Sequence, residues 1–162
     1  MTELPLHPAI VHLPLGLAMV MPLVAGALLL AWKKGWLDRK AWWLAAGLQV
    51  ITFAGSFAAA NTGEDDEDRA EERVGHDLVH EHEEIAEKFL ILNGVLAGAY
   101  IAAGAIPQVR IAQGVAAVAL LGSAGSFGLG LKVGHAGGTL VHGPAKGDVD
   151  APPADGSAEP GH

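Results

Sequence analysis

The side chains in this sequence best equipped for chemistry are its histidines, and they are unevenly placed. His7 and His12 lie in Leu6-His7-Pro8-Ala9-Ile10-Val11-His12-Leu13-Pro14, at the mouth of a long apolar stretch. His76, His80 and His82 stand in an acidic segment, His135 and His142 come after a second long apolar stretch, and His162 ends the chain. Imidazole changes charge near neutrality and ligates both metal ions and haem iron. An ionisable side chain at the edge of a membrane span is costly to place and marks a functional candidate. There is no cysteine, which excludes disulfides, thiolate metal sites and cysteine-held iron–sulfur clusters. No nucleophile–base set and no cofactor-cradling loop accompanies the histidines. That leaves enzymatic activity open and argues more for a redox or binding component than for a stand-alone enzyme.

The elements that must position these residues are apolar. Hydrophobic residues make up 51% of the 162, and they fall into four blocks at about 10–32, 41–60, 89–106 and 111–131. Roughly 20 helical residues cross a hydrocarbon core of about 30 Å. Lipid leaves no water for open strand edges, so each block should be a helix. The expected fold is all-α, an integral membrane four-helix bundle over 1–142, with an acidic loop-helix at 64–88. The tail 143–162, rich in Pro, Gly, Ala and Asp, has no apolar period and is expected to be disordered. Met1 to Leu6 carries Glu3 and no Lys or Arg, so a signal-peptide n-region is missing and the first block is expected to be retained. A net charge of −8 argues against nucleic acid as a partner and leaves the lipid bilayer.

Basic residues set an expected orientation. Lys33, Lys34, Arg39 and Lys40 lie in the first connection and Arg110 in the third, whereas the second is dominated by carboxylates. Positive connections stay in the cytoplasm. Both termini and the acidic loop should then face the periplasmic or extracellular side of the cell membrane. All eight histidines fall on that side. Trp32, Trp36, Trp42 and Trp43 bracket the basic connection, where an interfacial aromatic belt belongs.

Spacing also predicts which faces turn inward. In the first span His12, Gly16, Met19, Leu23 and Gly26 form one stripe, whose small residues should meet the bundle and carry His12 with them. His7 and His12 are five apart, about 140° around a helix, so they serve different ligands unless His7 folds back from the cap. Pro14 should bend this helix near His12. Gln49, Thr52 and Ser56 share a face of the second span, Asn93, Ala97, Tyr100 and Gly104 one of the third, and Ser123, Ser126 and Gly130 one of the fourth. Such polar residues normally hydrogen-bond between helices. In the acidic segment Leu78, His82, Ile85 and Phe89 share a face, which makes His82 the inward candidate. His76 and His80 form a separate surface pair at i, i+4, a two-point grip for a metal. The glycines from Gly134 to Gly143 should break the last helix and fold His142 over the bundle mouth, leaving His135 as a cationic cap.

These residues resemble a family of bacterial membrane proteins known as domain of unknown function 2231. His7-Pro8-Ala9-Ile10-Val11-His12-Leu13-Pro14 resembles its HPxxVHFP opening, with Leu13 where Phe is usual. Thr62-Gly63 resembles its TG turn, and His82-Glu83-Glu84-Ile85-Ala86 its HExxA-like segment. Gly137-Gly138-Thr139-Leu140-Val141-His142-Gly143 resembles its GGxLVYxHG close, one residue short and without the aromatic. Relatives fused to Rieske-type and cytochrome c-type modules imply a redox setting.

Three functional readings are compatible with these residues. In the first, His12 and His82 are axial ligands of a haem b, with His7 and His142 as alternates or hydrogen-bond partners. Electrons would then pass to or from a quinone or a membrane or periplasmic redox carrier. In the second, His7, His12, His82 and His142 hold a divalent transition metal, with His76 and His80 as a further metal grip. In the third, the protein is an accessory or structural membrane component without a cofactor.

Overall fold

A computed structural model describes residues 6–64 and 67–142. The described chain contains helices α1 (Leu6–Lys33), α2 (Trp42–Glu64), α3 (Glu67–Val74), α4 (His76–Ala105) and α5 (Val109–His142), with a 3-10 turn at Arg39–Ala41. Among the described residues there is no strand. Of these helices α1, α2, α4 and α5 are long and apolar enough to cross a membrane. They pack as a closed ring in the order α1, α2, α4, α5 and back to α1, while α3 lies against α4. Short connections make successive spans antiparallel. One end of the bundle therefore carries the start of α1, all of α3, the start of α4 and the end of α5. That end holds every described histidine.

Length says where the bundle leaves the lipid. α4 has 30 residues and α5 has 34, about 45 and 51 Å of helix against a core of about 30 Å. Their shared connection at the opposite end is short, so the surplus of both projects at the histidine-bearing end.

The polar faces of three spans lie as their spacing predicts. Gln49, Thr52, Ser56, Asn93, Tyr100, Ser123 and Ser126 are all buried. Gln49 Nε2 donates to Asn93 Oδ1 at 2.9 Å, and Ser126 Oγ donates to the same oxygen at 3.0 Å. Asn93 Nδ2 donates to Phe89 O, and the Tyr100 hydroxyl meets Ser123 Oγ at 2.7 Å. Thr52 and Ser56 instead donate to carbonyls of their own helix, Leu48 O and Thr52 O. Along α5 the buried positions Ala112, Ala116, Ala119, Ser123, Ser126, Gly130 and Val133 alternate steps of four and three. That is the 3.5-residue repeat of a left-handed bundle seam.

The first span is turned differently from its expected face. Its buried stripe is Pro14, Ala18, Met21, Ala25, Leu29 and Trp32, while His12, Gly16, Met19 and Leu23 are exposed. Nearly every residue of α1 is apolar, so hydrophobicity does not select a face, and Ala18 and Ala25 permit close approach as well as glycine does. Close approach also explains how Pro14 is accommodated. A Cβ on Gly55 of α2 would stand 3.2 Å from Pro14 Cδ, so the proline ring lies over a bare backbone.

The tryptophan belt is likewise divided. Trp36 and Trp43 are exposed at the basic end, but Trp32 and Trp42 are buried in the core. Trp42 stacks on Tyr100 with ring centroids 5.1 Å apart and donates from Nε1 to Tyr100 O. Arg39 closes that end by donating to Ile106 O, just past the last turn of α4.

The last helix does not break at its glycines. α5 runs unbroken through Gly134, Gly137 and Gly138 to His142. Among described glycines only Gly35 and Gly75 have positive φ. Leu15 of α1 packs beside Gly130 and Gly134 at ordinary contact distance, and at Gly137 an added Cβ would crowd His82 of α4 at 3.3 Å. Gly137 thus provides packing space rather than a chain reversal.

Candidate functional site at the histidine-bearing end

The site is built by a short acidic hairpin on the projecting ends of the bundle. Gly75 joins α3 to α4 with φ 94, a conformation that glycine adopts without steric cost. Val74 and Val79 on either side are buried and anchor the turn. Arg73 donates from Nη2 to Val141 O at 2.7 Å, which ties α3 to the last turn of α5. An arginine at a helix C-terminus satisfies an orphan carbonyl and complements the helix dipole. Arg73 has no helical spacing that marks it; its one signal in the sequence is a basic residue inside a run of carboxylates.

His76 and His80 project from the first turns of α4 on one exposed face. Their rings stack with centroids 5.8 Å apart and planes 10° from parallel. His76 Nδ1 pairs with the Glu71 carboxylate of α3. His80 lies 3.7 Å from Glu84 Oε1 through Nε2 and 4.0 Å from Glu83 Oε2 through Nδ1. Glu84 also accepts from Lys88 Nζ at 2.9 Å. The hydrogen bond and the charge of Glu71 raise the His76 pKa above its usual 6.5. A raised folded value means that the Glu71–His76 pair stabilises the hairpin fully below the unfolded pKa. Its contribution is lost as pH rises through the folded one.

His82 is the inward-turned histidine, as its spacing predicts. It is half-buried, its Nδ1 is shielded from solvent, and a Cβ on Gly137 would stand 3.3 Å from its Cε1. Its neighbours on the expected face differ in depth. Phe89 is buried and Ile85 half-buried, but Leu78 is exposed and Val79 takes its place.

The remaining candidates that are described lie at the surface. His12 is exposed on the outward face of α1, and α1 stands across the ring from α4. The two members of the expected axial pair thus differ in setting, His12 exposed and His82 half-buried. His142 is the last residue of α5 and is exposed rather than folded over the mouth. His135 is exposed two turns before the end of α5, which displaces it from the terminal cap expected of it. His7 falls in the first turn of α1, and its ring lies outside the described side chains. His162 and the tail 143–162 lie outside the described residues. Among the described residues, no three His, Asp or Glu side chains gather closely enough to hold a metal ion.

Set against family models, curated proteins and solved structures, the chain matches none.

Proposed function

We propose that this multi-pass membrane protein works through its histidine-bearing end, which takes up a divalent transition metal on His76 and His80. The observation that carries this reading is the placement of the two imidazoles one turn apart on one exposed helix face, with ring centroids 5.8 Å apart and Glu71 and Glu84 beside them. Two imidazoles one turn apart give a two-point grip, and water molecules complete the coordination shell. Imidazole suits Zn, Cu and Ni alike. The basic residues at the opposite end favour an outward-facing site.

Zinc titration calorimetry on the detergent-purified chain tests this. One zinc per chain is expected, with His76→Ala and His80→Ala each weakening it about tenfold or more, the scale of altering one group at a metal site. Protons compete for the same nitrogens. Because Glu71 raises the His76 pKa, affinity should begin to fall at a higher pH than for a free imidazole, and Glu71→Gln should move that fall to lower pH. Unchanged binding in the double histidine variant would sink the proposal.

A second reading, a haem b electron-transfer protein, is supported by the place of His82. Its ring sits in the α4–α5 seam over the bare backbone of Gly137, and an inward-turned imidazole on a bundle helix is a ligand that a haem iron would take. A redox carrier would be its partner. Reduced-minus-oxidised absorption of protein from haem-replete cells tests it. Sharp bands lost in His82→Ala support the reading, and a featureless spectrum removes it. The motif resemblance to domain of unknown function 2231 fits either reading, and its most specific part is the opening segment His7–Pro14.

A further inference from the structure

A groove of about 380 Å³ opens between α4 and α5, lined by Glu81, Ile85, Leu131, Lys132, His135 and Ala136. That size falls among small-molecule sites, roughly 300–1,000 Å³. The groove shares no residue with the His76–His80 pair, so a ligand here is independent of the metal proposal.

Two features define what the groove fits. The first is its level. Counting about 20 residues from Ala105 toward the start of α4 reaches Ile85, and from Arg110 toward the end of α5 reaches Gly130. The groove therefore begins where the hydrocarbon ends. The second is its gradient. On α4 the carboxylate Glu81 lies one turn further from the hydrocarbon than Ile85, and on α5 His135 lies one turn further than Leu131. Lys132 sits beside Leu131 with a side chain long enough to bring its ammonium up to the polar level. Both walls thus change from apolar to ionisable within one turn, about 6 Å of helix. Among the described residues no ion pair engages Glu81, Lys132 or His135.

A carboxylate facing a lysine and a histidine across an apolar floor complements a molecule carrying an anion, a cation and a hydrocarbon part. We infer that this groove is a binding site for an aminophospholipid of the phosphatidylethanolamine type. Lys132 and His135 meet its phosphate, Glu81 meets its primary ammonium, and Ile85 and Leu131 receive the first methylenes of its acyl chains. A quaternary ammonium headgroup has no N–H to donate to Glu81, and an anionic glycerol headgroup is repelled by it. The site therefore discriminates by headgroup amine.

Native mass spectrometry of the full chain, offered equal amounts of dioleoyl phosphatidylethanolamine, phosphatidylcholine and phosphatidylglycerol in micelles, tests the assignment. A dominant single phosphatidylethanolamine adduct is expected, about tenfold over phosphatidylcholine. Glu81→Gln should level those two lipids, and Lys132→Glu should lower all three. Lys40→Glu, at the opposite end, serves as the matched control and should change nothing. All three positions are exposed, so the variants should fold, and circular dichroism in the same detergent checks this. Phosphatidylglycerol bound as well as phosphatidylethanolamine, or adduct ladders unmoved by Glu81→Gln and Lys132→Glu, would overturn the site in favour of unspecific annular lipid.

Discussion

Asn93 shows how a single side chain organises this bundle. Its Oδ1 accepts from Gln49 and Ser126 while its Nδ2 donates to Phe89 O, so three helices meet at one amide. Asn93→Ala strands the buried Ser126 hydroxyl and leaves Gln49 Nε2 only its longer bond to Asn93 O at 3.4 Å. It should cost about 1–3 kcal/mol in detergent unfolding, the penalty of unsatisfied buried groups. Thr52→Val should cost well under that, because Thr52 bonds only to Leu48 O of its own helix. Equal losses in the two variants would remove Asn93 from its central role. This part of the core was legible in the sequence for a physical reason. A polar group in an apolar helix must find a partner, and its spacing points to the helix face where the partner lies. His12 was not legible by the same logic. At a span's end water and headgroups satisfy an imidazole on any face, so its position carried no information about which way it turns.

At the scale of the helix, small residues record where backbones and rings approach, but only once the face is known. α2 and α5 alternate polar or small residues regularly against a larger apolar background, and their inward faces could be read directly. α1 offers two stripes of nearly equal hydrophobicity, and lipid is as good a solvent for Leu23 as the core is. The choice between them is made by contacts that no single helix contains, such as Pro14 over Gly55 and Leu15 beside Gly130 and Gly134. The glycines of α5 misled for a related reason. Each costs up to about 1 kcal/mol of helix propensity, yet in a bundle that cost is offset when a neighbour fills the space. Two substitutions on α2 separate these roles. Gly55→Val adds a branched side chain where even a Cβ would stand 3.2 Å from the rigid Pro14 ring. It should wedge α1 from α2 and cost about 1–3 kcal/mol, as overpacking does. Gly47→Val, where a Cβ would meet nothing within 4 Å, should leave the melting temperature in detergent nearly unchanged or raise it slightly. If both variants melt alike, the close approach of Pro14 does not set the α1–α2 distance.

For the whole molecule, the asymmetry between its ends decides how it can work. One end is short, basic and sealed by Arg39 on Ile106 O and by the Trp32–Trp42–Tyr100 cluster. The other projects beyond the lipid, is dominated by carboxylates, and holds every described histidine and the α4–α5 groove. Lys33, Lys34, Arg39, Lys40 and Arg110 gather at the sealed end. Retention of basic connections in the cytoplasm would turn the histidine-bearing end outward. The absence of cysteine makes this directly measurable, because any introduced thiol is the only one. Leu37→Cys places it in the exposed basic connection, and Glu72→Cys on the exposed face of α3. In intact cells a membrane-impermeant maleimide should label Glu72→Cys at once and Leu37→Cys only after permeabilisation. The opposite pattern would place His76 and His80 in the cytoplasm, where metal uptake from outside and exchange with an external redox carrier are both impossible. Labelling of both thiols in intact cells would overturn more than the orientation. Only α2 lies as a span between residues 37 and 72, so two thiols on one side would mean that α2 does not cross the membrane.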